Sequence, residues 1–156
     1  MGVPNTPNWE EREKQELVLD EGRTSRSYRD QFGNWTNGIG HFLGPNPIYA
    51  NVVWDDPTID QTFAVDFEDA VLDATRAYPS WNDLDDPRKG AIVNMAFQLG
   101  AVKLSRFVTF FSYLAKGEFE EAAQDLMNHT LYAKQTPARA SRIAYRIRTG
   151  QYSNDR

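Results

Sequence analysis

A chain of 156 residues, 40% hydrophobic and 25% charged, has the length and balance of one packed globular domain; it is too short for two ordinary independent domains and lacks the skew of a disordered or fibrous protein. Its net charge of −5 argues against nucleic acid as a partner. With no cysteine and only two histidines, His41 and His129, it can build neither a disulfide framework nor a histidine/cysteine zinc cluster.

In chain order, Pro4 to Pro7 is turn-like, and Met1 to Glu16 has no apolar core of the signal-peptide kind. Trp9 to Asp20 is rich in the helix formers Glu, Lys, Gln and Leu, and Gly22 supplies a stop, so the first helix is expected to end at Glu21. Ser25 to Asp30 and Trp35 to His41 read as short strands around the turn residues Gln31-Phe32-Gly33-Asn34, and Gly38 and Gly40 argue against a helix there. The expected element is a β-hairpin. Phe42 to Pro57, with Pro45, Pro47 and scattered aromatics, reads as a structured surface loop.

From Thr58 the pattern turns helical, with a capping box from Thr58 to Gln61 and a face of Phe63, Phe67, Val71 and Leu72. After a break at Tyr78 to Asp86, an Asp86 cap and first-turn Pro87 open an apolar, central helix through Ile92, Met95, Ala96 and Leu99 to Gly100. Further helices are expected over Ser105 to Lys116, over Glu118 to Asn128, and over Ala138 to Thr149 behind a Thr136 cap and Pro137. The Phe107, Phe110, Phe111 and Leu114 stripe reads as core, and the basic run Lys134, Arg139, Arg142, Arg146 and Arg148 as a solvated helix face. No stretch approaches the roughly 18 apolar residues of a membrane span, so membrane insertion is not expected. The fold class is α+β, mainly α: one domain with a small hairpin lobe over about residues 9–60 and a larger helical lobe over about 61–152.

Two carboxylates and a hydroxyl cluster near the hairpin. Glu21 falls at a helix C-terminus, where the dipole and neighbouring Asp20 both disfavour its charged form, which suits a general acid. Asp30 closes the first strand and Thr36 opens the second, so the turn sets them opposite each other, where a carboxylate beside a hydroxyl can hold and polarise a water. In inverting glycosidases the two carboxyls stand roughly 6.5–9.5 Å apart to admit that water, against about 5–5.5 Å in retaining ones. Taken alone, the three residues read rather as a helix-end carboxylate, a turn residue and a strand residue than as a catalytic set.

The runs Asp20-Glu21-Gly22, Tyr28-Arg29-Asp30, Gly33, Trp35-Thr36 and Gly38-Ile39-Gly40-His41 resemble the T-even phage lysozyme family of glycoside hydrolases, and the spacing Glu-x8-Asp-x5-Thr matches its catalytic triad. Asn94 to Gly100 resembles the family's central helix, Gln135-Thr136-Pro137-Ala138-Arg139-Ala140 its substrate-lobe motif, and Arg148-Thr149-Gly150 its closing helix end. The resemblance covers about residues 10–152. It implies a lysozyme-like fold with a cleft between the lobes, and metal-free, cofactor-free hydrolysis, with inversion, of the β-1,4 bond between N-acetylmuramic acid and N-acetylglucosamine in peptidoglycan. By position, Glu21 would be the acid and Asp30 with Thr36 would place the water. Gln98 and Tyr132 would contact the glycan, although Gln98 reads equally as a buried amide. His41 would pair with Asp66 in a structural role.

Three departures accompany the resemblance. The stretch from His41 to Thr58 is shorter than in the T-even enzymes, Tyr132 stands where tryptophan is common, and the chain is acidic where most such enzymes are basic. The implied setting is a monomeric phage endolysin that collects in the host cytoplasm and reaches the wall through a holin. The alternatives are a virion-borne lysozyme associated with other virion proteins, and a wall-binding module without turnover.

Overall fold

The computed structural model describes residues 8–154 and 156; the turn expected over Pro4 to Pro7 lies outside them. The described chain is mostly helical with one small antiparallel sheet, and it divides into two compact units that part between Asp69 and Ala70.

In the first unit, helix α1 (Trp9–Glu21) starts at Asn8, whose side chain accepts from the Glu11 amide at 2.9 Å. Glu10 and Glu11 in its first turn suit the positive end of the dipole. The helix ends where expected, because Gly22 takes φ +75° and its N–H closes on the Val18 carbonyl. Strands β1 (Thr24–Arg29) and β2 (Trp35–Gly38) form the expected hairpin. The second strand does not run on to His41. Gly38 and Gly40 adopt φ +63° and +62°, turning the chain into a third strand, β3 (His41–Gly44). The rest of the expected loop is also structured: a single 3-10 turn spans Pro47–Tyr49, and the chain then returns along the free edge of β1. There Ser27 N donates to Val52 O at 2.9 Å and Trp54 N to Ser25 O at 2.8 Å. Fully buried Asn37 ties this edge down, its amide donating to the Ser25 and Val52 carbonyls and its oxygen accepting from Thr24 Oγ1.

Helix α2 (Asp56–Ala77) is capped by Asp55 rather than Thr58, because Asp55 Oδ1 takes both the Thr58 amide and the Thr58 hydroxyl. Its buried line runs through Ile59, Phe63 and Phe67 to Ala70 and Ala74, whereas Leu72, read as part of that face, is 49% exposed. Phe67 meets Phe63 edge-on and lies 6.2 Å from Trp9.

The second unit is built around helix α3 (Asp86–Leu104), buried without interruption from Gly90 to Ala96. Asp85, one residue before the expected cap, accepts from the Arg88 amide, and Gly100 at φ +80° breaks the helix before a last turn. Helices α4 (Val108–Ala115), α5 (Phe119–Asn128), α6 (Leu131–Gln135) and α7 (Pro137–Thr149) follow. The aromatic stripe is core as expected, with Phe110, Phe111 and Leu114 buried. α7 packs on α5, α3 and α6, and the buried Ala122 and Ala123 of α5 and Ala140 and Ala144 of α7 keep those surfaces low. The basic run is a solvated face only in part: Lys134 and Arg148 are exposed, and Arg139 and Arg142 are half-buried. Arg146 is 2% exposed with its guanidinium 4.5 Å from the Tyr152 ring, Arg139 Nε donates to buried Asn94, and Arg148 pairs with Glu120 at 2.6 Å. Arg88 joins the ends of α3 and α7 by donating to the Ile147 and Arg148 carbonyls while stacking on Phe119.

Candidate active site

Glu21 is the last residue of α1, half-buried, and the turn between β2 and β3 lies against it: a Cβ built on Gly40 would fall 2.6 Å from Glu21 Oε2. Asp30 sits just past β1 and organises the hairpin turn. Its Oδ1 accepts from the Phe32 and Asn34 amides at 2.8 and 3.0 Å, and its own N–H donates to the Asn34 carbonyl. Asp30 is thus a turn residue through Oδ1, while Oδ2 has no hydrogen bond among the described residues. The Asx turn fixes the carboxylate plane and leaves the second oxygen unengaged.

Thr36 lies in the middle strand, 8% exposed, opposite Tyr28 of β1 and Phe42 of β3. Directly paired residues of antiparallel strands share a face, so Tyr28 and Thr36 point the same way. The Tyr28 phenol is pushed above its ordinary range by burial, and then by the negative charges of Glu21 and Asp30. Tyr28 therefore lies in the field of both carboxyls on the face of the sheet that carries Thr36, and its phenol stays a neutral hydrogen-bond donor into the alkaline range. In the sequence Tyr28 stands only as part of the Tyr28-Arg29-Asp30 motif; the signal for a role is its place two residues before Asp30, on the strand opposite Thr36.

His41 opens β3. Its Nδ1 lies 2.6 Å from Asp66 Oδ2, and its ring packs 5.6 Å from that of Trp54. The structure thus brings together the two residues expected to pair, and the Asp66 hydrogen bond raises the imidazole above its ordinary value of 6.5. Trp35, beside Thr36, has its ring 5.3 Å from the Arg29 guanidinium, and its buried Nε1 finds no acceptor among the described residues.

In the second unit, Gln98 Nε2 donates to Thr136 Oγ1 at 3.2 Å, and that hydroxyl donates to the Tyr132 carbonyl at 3.0 Å. This is why Thr136 does not cap α7 with its side chain. Gln98 Oε1 is buried and takes no hydrogen bond among the described residues, so the amide is satisfied on one side. Tyr132 is 3% exposed, edge-on to Phe107 at 6.2 Å. It forms part of the wall of a cavity of about 430 Å³, with Leu99, Lys103, Arg106, Phe107 and Leu131 also lining it. Among the described residues no group of three His, Cys, Asp or Glu side chains could hold a metal ion, and no helix is long and apolar enough to cross a membrane.

Comparison with known proteins shows the family. The phage lysozyme family matches residues 19–142, a span that contains Glu21, Tyr28, Asp30, Thr36, His41, Asp66, Gln98 and Tyr132, and the chain belongs to that family. Among relatives, the probable T4-type lysozyme 2 of Dictyostelium discoideum is 28% identical over 88% of this chain and 94% of its own length. The probable T4-type lysozyme 1 of the same organism is 30% identical over the same shares. The pre-baseplate central spike protein Gp5 of Enterobacteria phage T4 is 26% identical over 86% of this chain, which amounts to 27% of the spike protein.

Proposed function

We propose that this protein hydrolyses the β-1,4 bond between N-acetylmuramic acid and N-acetylglucosamine in bacterial peptidoglycan, with inversion at the anomeric carbon. The observation that carries the reading is the family match across Glu21, Asp30 and Thr36, combined with a sheet register that sets Tyr28 opposite Thr36 and a turn that leaves Asp30 Oδ2 available. Glu21 gives its proton to the leaving glycosidic oxygen as the C–O bond breaks. Asp30 Oδ2 takes a proton from the attacking water, which the Thr36 hydroxyl orients, and that water forms the new bond on the opposite face of the sugar. Proton exchange with solvent then resets the two carboxyls. Gln98 and Tyr132 are the proposed glycan contacts, supported by the unused acceptor on Gln98. His41 and Asp66 serve structure rather than turnover.

The test is product analysis on purified peptidoglycan. The first product should carry an α-anomeric reducing end by proton NMR, on muramic acid. A β-anomer would overturn inversion, and a glucosamine reducing end would overturn the bond assignment.

The proposed setting is a monomeric phage endolysin that gathers in the host cytoplasm and crosses to the wall through a holin. The relatives named as probable T4-type lysozymes support the enzyme reading. The match inside a phage spike protein favours the second reading, a lysozyme carried by the virion. Mass spectrometry of purified virions separates them: absence supports the free enzyme, and a stoichiometric signal supports the virion.

A further inference from the structure

Gly40 occupies the turn between β2 and β3 at φ +62°, and its backbone lies against the functional end of Glu21. A Cβ there would stand 2.6 Å from Oε2, 2.8 Å from Cδ and 3.0 Å from Cγ of that side chain. Three consecutive atoms of one group are involved, so the carboxyl lies along the glycine rather than brushing it with its tip.

A left-handed backbone does not account for this. Gly22, Gly33 and Gly117 adopt similar φ values of +75°, +82° and +72°, yet a Cβ on any of them meets nothing within 4 Å. At those positions glycine serves the turn alone; at position 40 it also admits the carboxyl.

We propose that Gly40 is a positioning residue for the Glu21 carboxyl, its bare Cα forming the wall that sets where the acid stands. The proposal rests on the reading of Glu21 as general acid. Any side chain at position 40 would force the carboxyl from 2.6 Å out to the 3.4 Å at which ordinary contact begins, a retreat of about 0.8 Å. A proton donor must lie within hydrogen-bond reach of the leaving oxygen, and a misplacement of about 1 Å can cost roughly a hundredfold in rate. The same wall limits the rotamers open to Glu21, so the acid is held in place before substrate arrives.

The experiment compares Gly40→Ala with Gly117→Ala, which imposes the same backbone strain without the contact, and repeats Gly40→Ala in a Glu21→Ala background. Both single glycine variants should lose about 2–5 °C in Tm from the turn alone. Gly40→Ala should lose more, and the excess should vanish once Glu21 is truncated. Below its Tm, Gly40→Ala should lose at least about tenfold in kcat with KM within about twofold, while Gly117→Ala keeps its activity. The side-chain carboxyl carbon resonance of Glu21, assigned with Glu21→Gln, should move in Gly40→Ala and stay in Gly117→Ala. An equal Tm loss in both Glu21 backgrounds, an unmoved resonance or an unchanged kcat would overturn the proposal. The double variant keeps the stability comparison readable if Gly40→Ala alone folds poorly. Because stability and resonance do not depend on turnover, they fail only if the contact fails. A fully active Glu21→Gln would instead overturn the acid reading.

Discussion

At the start of β3, a histidine and an aspartate hold each other at 2.6 Å, and the hydrogen bond to Asp66 raises His41 against the opposing effect of burial. The folded value lies above the unfolded one, so the pair's stabilisation is complete below about pH 6.5 and fades as pH climbs through the raised folded value. The ring is a third exposed, and solvent screening limits the effect to about 1–2 kcal/mol. Asp66→Asn should show that loss in urea unfolding near pH 5.5 and much less above about pH 9; an equal loss at both would contradict it. At this scale the spacing of Glu21, Asp30 and Thr36 was legible in the sequence because it is linear. The Tyr28 coupling and the Gly40 contact were not, because they depend on which strand faces which and on how closely a turn approaches a helix end. Within the basic run the burial of one member was not legible, because sequence shows charge and not burial: Arg146 is enclosed, with its guanidinium against Tyr152.

Element ends were the least legible part of the fold. The sequence offered Thr58 and Asp86 as caps, but in both places an aspartate upstream took the role, Asp55 and Asp85. An aspartate one residue before an Asp-Pro pair can accept from the third helical amide while proline occupies the second position, where no donor is needed. Asp55 lies below its ordinary value because the Thr58 hydroxyl and amide both favour the carboxylate. Its contribution is therefore present above about pH 4 and is lost as pH falls through the depressed folded value. Asp55→Ala should lower Tm by about 2–4 °C near neutrality and by less in acid; a loss independent of pH would contradict the capping account. The third strand and α6 were missed because four- and five-residue elements carry no periodic signal of their own. Their ends are set by Gly38 and Gly40 at positive φ and by the Thr130 cap.

For the whole molecule, charge sets the terms on which a polymeric anionic substrate is met. The chain carries −5 overall, with 6 Lys/Arg against 14 Asp/Glu in residues 1–78, the half that contains Glu21, Asp30 and Thr36. Repulsion from an anionic wall is screened as the Debye length falls from about 30 Å at 0.01 M salt to about 8 Å at 0.15 M. Clearance of permeabilised cells should therefore rise about two- to threefold across that range, and a steady fall would contradict this reading. The fold class was legible from composition and periodicity, because amphipathic helices such as α5 and α7, an apolar central helix and a glycine-punctuated hairpin leave strong patterns.

The central claim is that Glu21 supplies the proton for cleavage of a wall glycan. Turbidity loss of outer-membrane-permeabilised bacteria, measured side by side for the unaltered chain and for Glu21→Gln, tests it most directly, because the amide keeps the shape and removes the acid. The account predicts rapid clearing by the unaltered chain and a rate at least about a hundredfold lower for Glu21→Gln with its Tm preserved. Equal clearing by both would contradict it.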